Sequence, residues 1–127
     1  MRILISLTLN EVINLGQVLK KIVDKPFKGN IAFKISRLAR EIGKEINLFE
    51  KEQNKILQRY AQRDKEGNII YTEDKYLKIS SPEEYNEEIK KLIESRIEIN
   101  VEKIPYEFLD TIEISPADLI ILDCVIN

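Results

Sequence analysis

The chain has no histidine, no tryptophan and a single cysteine, Cys124. Without histidine it lacks the commonest general base and the commonest metal ligand, and no Ser-His or Cys-His arrangement can form. A structural zinc site needs several Cys or His ligands, so neither a metal nor another cofactor is expected. One cysteine forms no internal disulfide. Leu122, Val125 and Ile126 surround it with apolar groups, whereas an activated thiolate wants a cationic or histidine neighbour, so Cys124 reads as a small core residue. The glycines at 16, 29, 43 and 67 are too scattered for a phosphate-binding loop or a dinucleotide fingerprint. No apolar run approaches the length of a membrane span. Met1 to Leu9 is apolar but short, lacks a small-residue cleavage site and reads as a strand rather than a signal peptide. The expected address is the cytoplasm, with no membrane partner.

What is present is a globular balance: 43% apolar and 33% charged residues in 127 positions. That length suits one domain, 1–127, and a chain of about this size buries roughly two thirds of its unfolded surface without a staple. The net charge is −2, but it is uneven. Residues 1–63 carry 13 Lys/Arg and 6 Asp/Glu, a balance of +7; residues 64–127 carry 7 and 16, a balance of −9. Such asymmetry is what a two-faced surface or attraction between neighbouring subunits would show, and equally what two halves that each solvate themselves would show.

The predicted fold class is α+β: a small antiparallel or mixed sheet, one long amphipathic helix and two or three shorter helices. Residues 2–7 suit a strand. Thr8 with Glu11 is a capping box opening a helix that Pro26 stops, and Lys28-Gly29-Asn30 reads as a turn. Ile31, Ile35, Leu38, Ile42, Ile46, Phe49, Ile56 and Tyr60 recur at helical steps, which predicts a helix from Ile31 to Arg63 about 50 Å long. Ile35, Ile42, Phe49 and Ile56 repeat every seven residues, as in a helix pair. A stripe longer than a small core can cover points to a homo-oligomer. Asp64 to Asn68 reads as the end of this helix, and Ile69–Tyr71 with Tyr76–Ile79 as a hairpin. Ser81-Pro82-Glu83-Glu84 predicts a capped helix start. Ile97, Ile99 and Val101 alternate with Glu98, Asn100 and Glu102, the mark of a strand. A turn at Tyr106–Leu109, a short strand at Thr111–Ile114 and a helix from Ser115 through Ile126 complete the expectation. No internal repeat stands out.

Two clusters bear on chemistry. Glu83, Glu84, Glu87 and Glu88 share one helix, where paired carboxylates would serve acid–base work or a divalent ion. They lie in its first turns, where the helix dipole favours negative charge, so the structural role is expected. Arg37, Arg40 and Lys44, three and four residues apart with Lys34 and Lys51 nearby, form a basic helix face. Glu41 and Glu45 dilute it, so it reads first as an ordinary solvated helix face, with an anion or a protein partner as the functional alternatives. The tyrosines are dispersed, without the aromatic pairing that stacks bases, so nucleic acid is not the expected ligand.

Phe33-Lys34-Ile35-Ser36, the run Arg59 to Asn68 and Ile114-Ser115-Pro116-Ala117-Asp118-Leu119 together resemble small proteins of unknown function encoded by phages and prophages of Gram-positive bacteria. Their layout is similar: a strand and helix, a long charged helix ending in a Tyr…Asp-x-x-Gly turn, an acidic helix, and an Ile-x-Ser-Pro-x-Asp-Leu helix. The abundance of Ile, Lys, Asn and Glu also matches an AT-rich genome. Such families have no established catalytic residues, so none is carried over. The resemblance implies a non-enzymatic accessory protein that binds a host or phage protein. The alternatives are sequestration of a small phosphorylated ligand, such as a nucleotide signal, between subunits, and an Asp/Glu-based enzyme.

Overall fold

The protein is described by a computed structural model covering residues 2–127. Strand β1 (Arg2–Thr8) runs into helix α1 (Leu9–Ile22), then the long helix α2 (Gly29–Tyr60), helix α3 (Pro82–Glu94), strand β2 (Arg96–Glu102) and helix α4 (Pro116–Leu122). A 3-10 helix, Tyr106–Thr111, precedes α4 and another, Asp123–Val125, follows it. This is the expected α+β arrangement, with a two-stranded antiparallel sheet.

Alternation decides the sheet. Ile3, Ile5 and Leu7 pair with Val101, Ile99 and Ile97 and face inward, while Arg2, Leu4 and Ser6 pair with Glu102, Asn100 and Glu98 on the other face. The α1 capping box forms as read: Glu11 N–H donates to Thr8 Oγ1 and Thr8 N–H to Glu11 Oε1, both at 3.1 Å. Val12, Leu15, Val18, Leu19 and Ile22 carry α1 into the core, where they meet Ile35, Leu38 and Ile42 of α2, Phe108, Leu122 and Val125. Gly16 faces Ile46 at the helix crossing. A Cβ there would run into Ile46 Cδ1, so the absent side chain sets how closely the helices approach.

Helix α2 starts two residues earlier and ends three earlier than the sequence suggests. Gly29 and Asn30 are helical, with Lys28 as an N-cap that makes no side-chain cap bond. Its 32 residues span about 48 Å. The seven-residue stripe is covered by the chain's own elements: Ile35, Leu38 and Ile42 enter the main core, and Phe49 and Ile56 are also buried on the half of α2 that α3 lines. Tyr85 of α3 meets Tyr60 edge-on at 6.1 Å, and Arg59 pairs with Glu88 at 3.4 Å. Length alone therefore does not require a partner along this stripe.

Residues 61–80 correct three expectations. The helix does not run to Arg63, Asp64–Asn68 is a loop turn beyond its end, and the hairpin is one part of a closed three-legged meander. Ala61 bridges Ile79, Arg63 bridges Ile69, and Tyr71 bridges Leu77. The amides close a ring: Gln62 donates to Lys78 (2.7 Å), Lys78 to Ile70 (3.0 Å) and Ile70 to Gln62 (2.8 Å). The legs recur every eight residues, a repeat that composition hides. Each turn has a side-chain acceptor at its start: Asp64 Oδ1 takes the Glu66 and Asn68 amides, and Thr72 Oγ1 takes the Tyr76 amide. Each also has a left-handed residue, Gly67 (φ 87°) and Lys75 (φ 68°).

One further expectation is met in part and another fails. Helix α3 starts where read, with Ser81 at the N-cap and Pro82 first in the helix, but Ser81 makes no side-chain cap bond; the preceding Ser80 is tied to the end of α2 through its N–H and hydroxyl on the Tyr60 carbonyl (2.8 and 3.0 Å), which fixes how the chain approaches α3. Thr111–Ile114 is not a strand. Thr111 closes a 3-10 turn through its hydroxyl on the Phe108 carbonyl, and the C-terminal pairing is instead a parallel bridge between Ile104 and Ile126. Ser115 does cap α4, accepting the Asp118 amide at 3.1 Å.

Candidate functional site

The basic face of α2 is positioned by its buried face. Ile35, Leu38, Ile42, Phe49 and Ile56 turn inward, so residues half a turn away face out. Phe33, Arg37, Arg40, Lys44 and Leu48 follow at steps of four, three, four and four and form one outward stripe about 22 Å long. Phe33 is 59% and Leu48 56% exposed, so two apolar side chains bracket three cations.

The three cations differ. The Arg37 guanidinium lies 5.5 Å from the Phe33 ring centroid and 3.9 Å from Glu102 of β2, which also takes Lys34 at 3.6 Å. Lys44 reaches back to Glu41 at 3.4 Å. Arg40 is exposed and makes no hydrogen bond or ion pair among the described residues. The Lys44–Glu41 pair is exposed at its cation and contributes about 0–1 kcal/mol, so Lys44 is free to exchange partners, whereas Arg37 shares the half-buried Glu102 carboxylate with half-buried Lys34. The stripe is thus a line of separate cations, not a converging anion pocket. The niche beside Arg37, lined by Arg2, Lys34, Leu38, Glu41, Val101 and Glu102, has a volume of about 10 Å³. That is room for one water.

The remaining candidates take structural places. Glu88 accepts from Arg59 at the α2–α3 junction and lies close to Tyr60. Partial burial, helped by the Glu88 carboxylate, raises the Tyr60 phenol above its ordinary value. Glu83, Glu84 and Glu87 are exposed. Cys124 is half-buried, its Sγ 3.6 Å from the Ile121 carbonyl, and burial pushes its thiol up, away from the reactive thiolate. Among the described residues no group of three or more Cys, Asp or Glu side chains is arranged to hold a metal ion, and no helix is long and apolar enough to cross a membrane.

Sequence reasoning named the cations and missed the residues that give them context. Phe33 and Leu48 were visible as members of the same helical spacing, but Glu102 reaches the stripe only through the sheet. The C-terminal segment was also passed over. Residues 104–127 contain Glu107, Asp110, Glu113, Asp118 and Asp123 and no basic residue, and they expose Tyr106, Leu119 and Ile120, the last at 77%. No protein-family model, no curated protein and no solved structure matches the chain.

Proposed function

We propose that this is a phage-type, non-enzymatic accessory protein that acts by binding another protein, with the outward stripe of α2 as its recognition surface. One observation carries the reading: the exposed Phe33 and Leu48 bracket half-buried Arg37 and exposed Arg40 and Lys44 in one line along α2. A line of apolar anchor, cations and apolar anchor fits an extended or helical partner segment with the opposite pattern, acidic in the middle and apolar at its ends. Arginine and aromatic side chains are the types that dominate binding energy in protein interfaces. The exposed cations Arg40 and Lys44 steer such a partner, and Lys44 leaves its weak intramolecular pair at little cost.

Sequestration of a phosphorylated ligand has less support, because the niche beside Arg37, at about 10 Å³, is too small for a phosphate. The test compares wild type with the Arg37→Glu, Arg40→Glu double variant. Proteins captured from a host lysate are identified, purified and titrated back by calorimetry, alongside a panel of nucleotides and cyclic nucleotides. The reading expects one protein whose binding weakens steeply with salt and is lost in the double variant. A bound nucleotide, or a protein partner indifferent to both reversals, would refute it.

A further inference from the structure

The charge asymmetry of the chain has a spatial counterpart. The cationic stripe lies on the outward side of α2, and the segment 104–127 carries only acidic charge. Asp118 is occupied by Lys21 at 3.1 Å. Glu107, Asp110, Glu113 and Asp123 are exposed and form no ion pair among the described residues. In the same segment Leu119 and Ile120 are exposed on α4, and a groove of about 240 Å³ opens between α4 and α1, lined by Leu7, Glu11, Asn14, Ile120, Ile121 and Cys124. The stripe thus offers cations between apolar knobs. The C-terminal segment offers unpaired carboxylates and exposed apolar side chains.

We infer that the α2 stripe seats the acidic C-terminal segment, residues 106–123, of a second copy of this chain. The inference rests on the reading of the stripe as a recognition surface and names its partner. Two features favour a second copy. The opposite charges are segregated into different parts of one sequence, and each charged surface carries exposed apolar groups of its own. Arg37, Arg40 and Lys44 then face the carboxylates of the segment, while the apolar side chains at the two ends of the stripe, Phe33 and Leu48, meet its exposed apolar groups, Tyr106 at its start and Leu119 and Ile120 near its end. Because two different surfaces meet, the contact is head-to-tail. It closes into a dimer when both pairs meet across a two-fold axis, and into a ring or chain otherwise.

Sedimentation velocity over a wide concentration range, at low and high salt, tests this with three proteins. Wild type is expected to associate reversibly, with less association as salt rises. A stripe variant (Arg37→Glu, Arg40→Glu, Lys44→Glu) and an acidic-segment variant (Asp110→Lys, Glu113→Lys, Asp123→Lys) are each expected to associate on the order of tenfold more weakly or worse, since both surfaces then carry like charge. Circular dichroism melting confirms that each is folded. Mixing the two variants restores opposite charge at both contacts, so association is expected to return in the mixture. A misfolded variant would not be rescued this way. A wild type that stays monomeric at the highest concentration, association unaffected by either reversal, or variants that fail to combine would each overturn the inference. If wild type is monomeric yet captures a different protein through the same stripe, this inference fails while the proposed function stands. If it captures nothing, both fail.

Discussion

Replacing Ile42 with alanine separates the buried stripe of α2 from its exposed one. Ile42 is 1% exposed and lies against Gly16 of α1, its Cγ2 3.6 Å from where a side chain at position 16 would begin. The substitution removes three carbons, and at about 0.8 kcal/mol per buried carbon the transfer loss alone is about 2.4 kcal/mol. Gly16 has no side chain to move into the hole, so a cavity contribution of about 1 kcal/mol is added, and the expected cost is about 3–4 kcal/mol. Ile46, half-buried at the same crossing, is the one neighbour placed to swing in, which keeps the estimate below the upper end for such changes. Urea unfolding followed by far-UV circular dichroism reads the loss. Leu48→Ala, on the outward stripe, should stay within about 0.5 kcal/mol of wild type. A cost below about 1 kcal/mol for Ile42→Ala, or equal costs at both positions, would refute the packing described for α2.

Three further outcomes are expected. Lys75→Gly should stabilise the protein by about 0.5–1 kcal/mol, because a side chain held at positive φ is strained and glycine is not; a lower melting temperature would show that Lys75 contributes something its backbone does not explain. Tyr60 has its phenol raised in the folded state, so the stability it contributes is complete below the ordinary tyrosine value of about 10 and is lost as pH rises through the higher folded value. Unfolding midpoints of Tyr60→Phe should therefore fall less steeply than those of wild type at alkaline pH, and parallel curves would contradict this. Cys124→Ala should cost packing stability, and the native thiol should react with iodoacetamide more slowly than the unfolded chain's, since burial disfavours its thiolate.

Local chemistry made much of this fold legible. The Thr8–Glu11 box, the Ser115 cap and the alternation of Ile97, Ile99 and Val101 each act within a few residues, and each is found where the sequence puts it. The misreadings lie where distant parts of the chain decide. The stripe of α2 matches a coiled-coil seam by spacing, yet α1, β2 and α3 cover it, and periodicity does not say which element does the covering. The meander at 61–80 is closed by amides eight residues apart, so the sequence announced its two turns, at Gly67 and between Tyr71 and Tyr76, but not the closure that brings Gln62, Ile70 and Lys78 together. Ser81 has the right neighbours for a cap, but Ser80 is already held by Tyr60. The cations Arg37, Arg40 and Lys44 were readable as one face of a helix. That Phe33 and Leu48 bracket them in the open required knowing which side of α2 is buried.

The central claim is that this outward stripe is where the protein meets its partner. Photocrosslinking from single positions in living cells tests it most directly, with a benzoylphenylalanine placed by Arg40→p-benzoylphenylalanine on the stripe and by Glu98→p-benzoylphenylalanine on the exposed face of β2. The account predicts a discrete adduct to a protein, either another protein or a second copy of this chain, from position 40 and none from position 98. No adduct from position 40, or the same adducts from both positions, would contradict it.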